Sequence, residues 1–454
     1  MKPADLPPDF SAGSLLAEAN RCVACGLCLP HCPTYRKTLS EADSPRGRIA
    51  LMSGVASGRI PMNERFALHI DRCLTCRTCE AVCPNHVAYG QLVGGARAML
   101  AAGASRKHWL RGLMEREFIA KPARFDKLRP LLRFYQQSGL QGLLRKSGLL
   151  GKTGLAALEA QLPAIPLSLA LSPRGEGTLT PSPAGRERVG ERGHWQALYP
   201  ATGKPRGEVG LFLGCIARLA DAATLNAAIF VLNRLGYTVH LPPAQTCCGA
   251  LHQHGGDTQT AALLAQQNLT AFDGLKLQAI ISTASGCGAQ LAEYPTYRAQ
   301  EMPAKQAASG FSAKVMDISA FLATAEGWDD VNIAPLSNQG AHKIAVHEPC
   351  SLRNVLRGAA HPYALLARIP DAQIVALAGN DQCCGAAGTY FLDQPEMAKA
   401  LLDDKMVALN HSGARYLVSS NVGCALHLAS GLRQAGLAIE VLHPVTLLAR
   451  QTGW

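Results

Sequence analysis

The chain has 454 residues, of which 48% are hydrophobic, 17% are charged and 16 are cysteines, and its formal net charge is +11. At ~100–200 residues per domain this length predicts two to four domains, and the composition excludes an intrinsically disordered chain. No apolar run reaches the ~18 residues of a membrane-spanning helix, and residues 1–10 carry prolines and acids instead of an apolar signal segment. We therefore expect a cytoplasmic chain whose reduced cysteines serve metal binding or redox chemistry.

The first eight cysteines form two copies of one pattern, C-x2-C-x2-C-x3-C-P. The copies comprise Cys22, Cys25, Cys28, Cys32 and Pro33, then Cys73, Cys76, Cys79, Cys83 and Pro84. This run is typical of bacterial two-cluster ferredoxins, in which the fourth cysteine of each run binds the other cluster. Zinc ribbons instead use two separate C-x2-C pairs. The runs predict two 4Fe-4S clusters with crossed ligands: Cys22, Cys25, Cys28 and Cys83 for cluster 1, and Cys73, Cys76, Cys79 and Cys32 for cluster 2.

The 40 residues between the two runs indicate a helical type of ferredoxin domain. Ser44 followed by Pro45 is a helix-start signal, with apolar Ile49 and Met52 on the helix that follows. Residues 14–21 and 63–70, just before each cysteine run, also predict short helices. We therefore expect a helical ferredoxin domain over residues 1–95.

A basic stretch follows the ferredoxin domain. Residues 94–150 carry twelve basic residues against Glu115, Glu117 and Asp126, a net charge of +9. The basic residues are Arg97, Arg106, Lys107, Arg111, Arg116, Lys121, Arg124, Lys127, Arg129, Arg133, Arg145 and Lys146. Apolar residues at helical spacing make this a candidate amphipathic helix for an anionic membrane surface or an acidic partner. A solvated connector over residues 96–165 is the alternative, and nucleic acid is excluded because no nucleic-acid module is present.

Residues 166–200 read as a low-complexity insertion in a linker. From 166 to 195 the chain is rich in Pro, Gly, Ser, Arg and Glu and has no hydrophobic periodicity. Such a segment cannot bury a core, so we expect it to be disordered and dispensable.

The second eight cysteines also repeat, at offsets of 135 to 137 residues. The copies are Cys215, Cys247, Cys248 and Cys287, then Cys350, Cys383, Cys384 and Cys424. Repetition at one spacing predicts duplicated domains. Adjacent cysteines make strained disulfides, so a shared metal centre, such as an additional iron-sulfur centre, explains each Cys-Cys pair better.

Short apolar runs precede the cysteines in both copies. The runs are residues 209–213 and 279–282 in the first copy, and 343–346 and 416–419 in the second. Helical stretches such as 219–235 and 395–409 alternate with them, which predicts parallel βαβ units with cysteines at the carboxyl ends of strands. The fold class is therefore α+β multidomain, with cysteine-rich domains over 205–300 and 341–450 joined by a linker over 301–340.

Two ferredoxin runs followed by two C…CCG…C domains resemble the iron-sulfur subunits of dehydrogenases. That group includes subunits for glycolate, anaerobic glycerol-3-phosphate, lactate utilisation and heterodisulfide reduction. The amino-acid sequence of residues 22–28, 44–49, 285–288 and 421–424 is most similar to that of the glycolate oxidase (glycolate dehydrogenase) iron-sulfur subunit. The resemblance covers nearly the whole chain except residues 166–195.

This resemblance implies an electron-transfer subunit of a flavin-dependent glycolate, or 2-hydroxy acid, dehydrogenase. The chain itself has no G-x-G-x-x-G, and Gly151-Lys152-Thr153 is no phosphate loop because Lys146 replaces the required glycine. Two-electron oxidation needs a hydride acceptor, so we expect FAD on a partner subunit and no catalytic residue in this chain. Electrons would leave for a quinone or another acceptor, with peripheral association at the inner membrane face as one option.

Three alternatives stay open at this point. The first is a related complex for lactate, glycerol-3-phosphate or heterodisulfides. In the second, the CCG domains themselves cleave a disulfide substrate, and the third is an iron-sulfur sensor. The absence of a DNA-binding module counts against the sensor.

The chain departs from the fullest family motif, in which each CCG domain ends in C-x2-C. Gln290 and His427 stand where that motif has a fifth cysteine. Four thiolates still satisfy a 4Fe-4S centre in number, so cluster binding by either CCG domain stays open. For His427 both a ligand role and a plain polar role near a helix start remain.

Overall fold

The computed structural model describes residues 12–103, 115–121, 124, 131–132, 134–147, 151, 154–162, 195–297, 302–336 and 342–454. The expected insertion at 166–195 lies outside these residues except for Trp195. The prediction that it is disordered therefore stays untested. Six cations of the basic stretch also lie outside the described residues: Arg106, Lys107, Arg111, Lys127, Arg129 and Arg133.

The first domain is built from short helices, as its capping signals predicted. Its helices are Ala12–Ala19, Pro33–Thr38, Pro45–Ala56, Glu64–Asp71, Thr78–Ala81 and Tyr89–Gly103, with a 3-10 turn at Glu41–Asp43. The Ser44 hydroxyl oxygen accepts from the Gly47 N–H at 2.9 Å, and the side-chain Oδ1 of Asn63 accepts from the Phe66 N–H at 3.1 Å. These caps satisfy N–H groups that a helix start leaves without partners. Met52 and Ile70 are among the buried residues that join the helices into one core.

The described part of the connector is also helical. It contains a π-helix at Glu115–Ile119 and α-helices at Leu140–Ser147 and Gly154–Gln161. Arg145 on the first α-helix forms an ion pair with Glu159 on the second at 2.9 Å. Arg433, from the last third of the chain, donates to the Ala160 carbonyl at 2.5 Å. The connector is thus tied to the second α/β domain.

The first α/β domain has a five-stranded sheet. Its strands are β1 (Leu198–Tyr199), β2 (Gly207–Phe212), β3 (Tyr237–His240), β4 (Ala279–Ser282) and β5 (Val315–Asp317). They lie in the order β1-β3-β2-β4-β5, parallel except for β1. Strand β5 falls within the stretch 301–340 that we expected to be a linker. The edge of the parallel sheet needs this strand because β4 would otherwise leave its backbone groups unpaired.

The second α/β domain repeats this arrangement. Its strands are β6 (Lys343–His347), β7 (Gln373–Ala376), β8 (Tyr416–Ser419) and β9 (Glu440–Leu442), in the order β7-β6-β8-β9 and all parallel. The first sheet has the same order in β3-β2-β4-β5. The predicted duplication and the α+β class are confirmed.

Helices surround both sheets. In the first domain they are Ile216–Ala220, Ala222–Arg234, Ala250–His254, Thr258–Phe272, Ser285–Ala292, Tyr294–Tyr297, Met302–Ser312 and Ile318–Thr324, with a 3-10 turn at Trp328–Asp330. In the second they are His361–Leu366, Tyr390–Asp393, Pro395–Ser412, Val422–Gln434 and Pro444–Gln451, with a π-helix at Ser351–Val355. No helix among the described residues has the length and apolar character needed to span a membrane.

The two α/β domains share one hydrophobic core. Buried residues from both sheets, including Val209 and Val346, belong to the same cluster. The Ser285 N–H donates to the Ser420 carbonyl at 2.8 Å, so the loops after β4 and β8 meet across the interface. Because both loops lead into cysteine-bearing helices, the interface brings the two cysteine-rich sites to adjoining positions.

Candidate metal centres

The loops that carry the first three cysteines of each run have the same backbone shape. Ala24 and Gly26 have positive φ angles of 55° and 84°, and Thr75 and Arg77, at the equivalent positions, have φ of 53° and 58°. A non-glycine residue in this region costs ~1–2 kcal/mol, so its surroundings hold it there. The Thr75 N–H points to the Cys73 sulfur at 3.4 Å. Each loop therefore curls around its own thiols and offers them backbone donors.

The four cysteines predicted for cluster 1 line one cavity. Cys22, Cys25 and Cys28 come from the first loop, and Cys83 comes from the end of the second run. Cys79 also lies on the cavity wall, together with apolar side chains. Burial raises the pKa of Cys28 to about 11. An apolar cavity lined by these cysteines offers the donor set of an iron-sulfur cluster.

The cysteines predicted for cluster 2 lie deeper in the protein. Cys73, Cys76, Cys79 and Cys32 are each between 6% and 9% exposed. Burial and then the adjacent thiols of Cys76, Cys73 and Cys32 raise the pKa of Cys79 well above its usual range. The structure thus brings Cys32 from the first run to the three thiols of the second run. Four thiols that converge at one buried position provide the donor set of a 4Fe-4S cluster.

A buried arginine places positive charge beside this second set. Arg48 is 1% exposed, and its Nη1 lies 3.9 Å from the Cys32 sulfur. Its charge is balanced by Asp43, which is fully buried and also binds Arg72 at 2.9 Å. Burial would raise the pKa of Cys73, but Arg48 and Arg97 outweigh it and hold that pKa below its usual value. Motif spacing did not identify Arg48, because no pattern shows which arginine becomes buried.

In the first α/β domain the four cysteines also converge. The sulfur atoms of Cys215 and Cys247 are 3.5 Å apart, and the Cys287 thiol lies beside that of Cys248. The Asn268 amide donates to the Cys247 carbonyl at 2.9 Å and so holds the Cys-Cys loop. The four side chains that the repeat pattern singled out therefore share one site.

In the second α/β domain the four cysteines form a continuous series of contacts, in which Cys383 and Cys384 are also adjacent to each other. The Cys350 thiol contacts Cys383, and the Cys384 thiol contacts Cys424. The Cys383 thiol, followed by burial, raises the pKa of Cys350 well above its usual range. Lys405 is 2% exposed and lies beside Cys383 and Cys384, where its charge favours thiolates. The four cysteines of the second copy therefore converge in the same way as those of the first copy.

The two residues that stand in place of a fifth cysteine, Gln290 and His427, are both buried. Gln290 is 4% exposed on the cysteine-bearing helix of the first domain. His427 is also 4% exposed, its ring lies 6.3 Å from Phe391, and its Nδ1 is 3.4 Å from the Gln161 amide. Among the described residues, it is His347 and not His427 that forms a compact group with Cys384 and Cys424. The sequence analysis missed His347.

The second ferredoxin thiol set adjoins the second α/β domain. Cys76 and Cys383 belong to one buried cluster, against which Cys350 packs. Burial, followed by the neighbouring Cys350 thiol, raises the pKa of Cys76 to about 12. The Asn354 amide donates to the Cys76 carbonyl at 2.7 Å. The two cysteine sites are therefore in direct side-chain contact.

Most described cations of the basic stretch have partners within the chain. Arg97 donates to the Cys73 carbonyl at 2.6 Å, and Arg116 pairs with Asp257 at 2.8 Å. Lys121 and Arg124 both pair with Glu117, while Arg145 pairs with Glu159. The described part of the basic stretch therefore has less unpaired positive charge than its composition indicated. This favours the interpretation of that part as a connector between domains.

The helical domain with paired cysteine loops and the two cysteine-rich α/β domains define an iron-sulfur protein of the electron-transfer class. Residues 18–87 match the 4Fe-4S dicluster domain, and residues 209–292 and 344–429 match the cysteine-rich domain. Residues 106–162 match the linker region of the glycolate oxidase iron-sulfur subunit. The chain belongs to the family of glycolate oxidase iron-sulfur subunits.

Individual relatives agree with this assignment. The probable glycolate oxidase iron-sulfur subunit of Bacillus subtilis is 34% identical over 96% of this chain and 94% of its own length. The glycolate oxidase iron-sulfur subunit of Escherichia coli is 30% identical over 91% of this chain and 90% of its own length. Lactate utilization protein A of Oceanobacillus iheyensis is 26% identical, but over only 53% of this chain.

Proposed function

We propose that this chain is the electron-transfer subunit of a flavin-dependent dehydrogenase that oxidises glycolate or a similar 2-hydroxy acid. The names of the full-length relatives support the substrate. The sequence offers no dinucleotide fingerprint for a hydride acceptor, so a partner subunit carries FAD and performs the oxidation. This chain passes the electrons to a quinone or another acceptor and does not oxidise glycolate by itself.

In this proposal the ferredoxin domain binds two 4Fe-4S clusters, which accept and release one electron at a time. Cys22, Cys25, Cys28 and Cys83 hold the first, and Cys73, Cys76, Cys79 and Cys32 hold the second. Near-complete burial of the second set limits its contact with water, whereas the first set has apolar walls but includes the exposed Cys25. Arg48 and Arg97 offset the negative charge of the buried thiolates.

The observation that carries the relay is the contact between Cys76 and the second α/β domain. Cys76 lies against Cys350 and Cys383, so electrons that reach the second ferredoxin set find another metal-binding region next to it. Cys25, in contrast, is an exposed cysteine of the first set. We therefore infer a direction of transfer from the exposed first set, through the second set, to the second α/β domain.

The same proposal covers the location of the complex in the cell and the surface on which it docks. Reduced thiols fit a cytoplasmic protein, and a quinone acceptor would bring it to the inner face of the membrane. The cations of the basic stretch that lie outside the described residues, such as Arg111, are candidates for docking to a membrane surface or an acidic partner.

The test reconstitutes the chain with its flavin subunits and follows glycolate-dependent reduction of a quinone analogue. We expect no activity from the chain alone, and activity in the complex. Cys25→Ser should abolish quinone reduction while direct reduction of a small dye by the flavin subunits continues. Glycolate oxidation by the isolated chain, or quinone reduction without it, would overturn the proposal.

Lactate is the second candidate substrate, because lactate utilization proteins are among the relatives. Those matches span only 53% of this chain, whereas the glycolate oxidase subunits match almost all of it. The same reconstituted complex separates the two, since glycolate should give a much higher kcat/KM than lactate if our assignment is correct.

A further inference from the structure

The duplicated domains differ at one position beside their cysteines. In the first domain Phe212 ends strand β2 and pairs in register with Ser282 on β4. In the second domain the equivalent pair is His347 on β6 and Ser419 on β8. Phe212 and His347 each stand three residues before the first cysteine of their repeat. A polar imidazole has therefore replaced an apolar ring at the carboxyl end of a central strand, where α/β sheets place their sites.

His347 is almost fully buried and is held in one orientation. Its side chain is 2% exposed, and its Nδ1 lies 3.0 Å from the Ser419 hydroxyl. In the first domain the corresponding Ser282 hydroxyl donates instead to the nearby Ala284 carbonyl at 2.9 Å. A hydrogen bond at one ring nitrogen orients the imidazole of a metal-binding histidine and leaves the other nitrogen for a ligand. The serine thus has the position of an outer partner to a metal-binding histidine.

Two thiols complete the group around His347. A ring nitrogen of His347 and the sulfur atoms of Cys384 and Cys424 all lie within 4.8 Å of one another. Donors that share one tetrahedral ion with bonds of ~2.0–2.3 Å stand about 3.5–3.8 Å apart, so small adjustments bring all three onto one metal. The Asn421 amide donates to the Cys424 sulfur at 3.2 Å, as a partner of a metal-bound thiolate does.

We infer that His347 is a metal ligand that completes the site of the second α/β domain together with Cys384 and Cys424. The site offers one imidazole nitrogen and two thiolates, which suits a thiophilic metal, either an iron of an iron-sulfur centre or a zinc ion. Lys405 beside Cys384 balances the charge of the thiolates. The metal site itself does not depend on the proposed electron-transfer function. Only a role for this site in electron transfer, beside the second ferredoxin set, rests on that proposal.

The domains themselves supply matched variants for the test. His347→Phe copies Phe212 of the first domain, and His427→Gln copies Gln290, so each substitution introduces a residue that the fold already accommodates. His347→Cys replaces the nitrogen donor by a third thiolate. The full-length chain and each variant are purified anaerobically, and iron, zinc and sulfide are counted per chain. Pulsed electron paramagnetic resonance then detects magnetic coupling between iron and histidine nitrogen.

We expect His347→Phe to lose the iron or the single zinc of this site, while His427→Gln retains it. The counts of iron, zinc and sulfide per chain show whether iron or zinc occupies the site. His347→Cys should keep the metal. If the metal is iron, the magnetic coupling to histidine nitrogen should disappear. If the metal is zinc, its exchange for Co²⁺ should give a visible spectrum that differs from that of the wild type. The ferredoxin signals should persist in every variant, so their loss would point to failure of the proposed function instead. Unchanged metal counts and spectra in both His347 variants, or wild-type protein without metal beyond the ferredoxin clusters, would overturn the inference.

Discussion

At the residue scale, the crossed positions of two cysteines link the two halves of the ferredoxin domain. Cys32 follows the first loop in sequence but lies with the thiols of the second, and Cys83 lies at the cavity of the first. Each centre therefore depends on both runs. Loss of either distal cysteine should damage the centre that is remote in sequence.

Cys32→Ser should perturb the centre held by Cys73, Cys76 and Cys79, whereas Cys22→Ser should perturb the other one. The physical reason is that a serine hydroxyl is a poor substitute for a thiolate at an iron-sulfur cluster. The two variants are compared by iron content and by the resonance spectra of the reduced clusters. Spectra that show the same centre damaged in both variants would contradict the crossed arrangement.

Cysteine spacing singled out thiols that lie near one another in the structure, and their assignment to metal centres stays a prediction. It could not predict the groups that surround them, because Arg48, Lys405 and Asn268 act through burial and three-dimensional neighbourhood. His347 is an intermediate case: aligning the two repeats would have shown it opposite Phe212. The signal for His347 is a difference between the copies, whereas the cysteine pattern contains only what they share.

At the scale of elements, each Cys-Cys-Gly loop packs closely against a longer helix further along the chain, Thr258–Phe272 in the first domain and Pro395–Ser412 in the second. Gly249 has a φ of +88°, and a Cβ there would lie 3.3 Å from the Ala261 carbonyl oxygen. Gly385 has a φ of +92°, and its Cβ would lie only 2.7 Å from the Ala398 carbonyl oxygen. The glycine of the motif is thus required both for its backbone conformation and for close packing.

Gly385→Ala should destabilise the second α/β domain by more than the ~1–2 kcal/mol that the left-handed conformation alone costs, because the methyl group meets backbone. Gly436→Ala is the matched control, since Gly436 has a φ of +67° and open space around its Cβ position. Thermal denaturation of the two variants measures the difference. Equal losses of stability would show that the close contact at Gly385 has no energetic consequence.

The sequence predicted the alternation of strands and helices in both copies, because the apolar runs and helical periodicity are local signals. It did not predict β5 at Val315–Asp317, where three residues of mixed burial carry no strand pattern of their own. Pairing with β4 creates that strand, so tertiary context and not local propensity decides it.

At the scale of the whole molecule, the ferredoxin domain is docked on the second α/β domain. Besides donating to Cys76, the Asn354 amide donates to the Thr78 hydroxyl at 2.9 Å, and the Tyr390 hydroxyl donates to the Arg72 carbonyl at 2.8 Å. These bonds join the second ferredoxin loop to residues near Cys350 and Cys383. The interface thereby holds the second ferredoxin loop beside the cysteines of the second α/β domain.

Asn354→Ala combined with Tyr390→Phe should loosen this interface, at about 1 kcal/mol for each hydrogen bond removed. Amide hydrogen exchange of the loop between Cys73 and Cys79 should become faster while metal content is kept. Lys37→Ala is the control, because its ion pair with Asp404 is exposed and worth little. Equal exchange rates in the double variant and the control would argue against a docked loop.

The most direct measurement mixes the purified chain anaerobically with its flavin subunits and glycolate, and follows reduction of the iron-sulfur centres by absorbance and electron paramagnetic resonance. We expect both ferredoxin centres to be reduced only when the flavin subunits are present. Cys25→Ser should block the reduction of the second centre as well as the first. Reduction of the centres by glycolate without flavin subunits, or no reduction in the complete mixture, would contradict the electron-relay account.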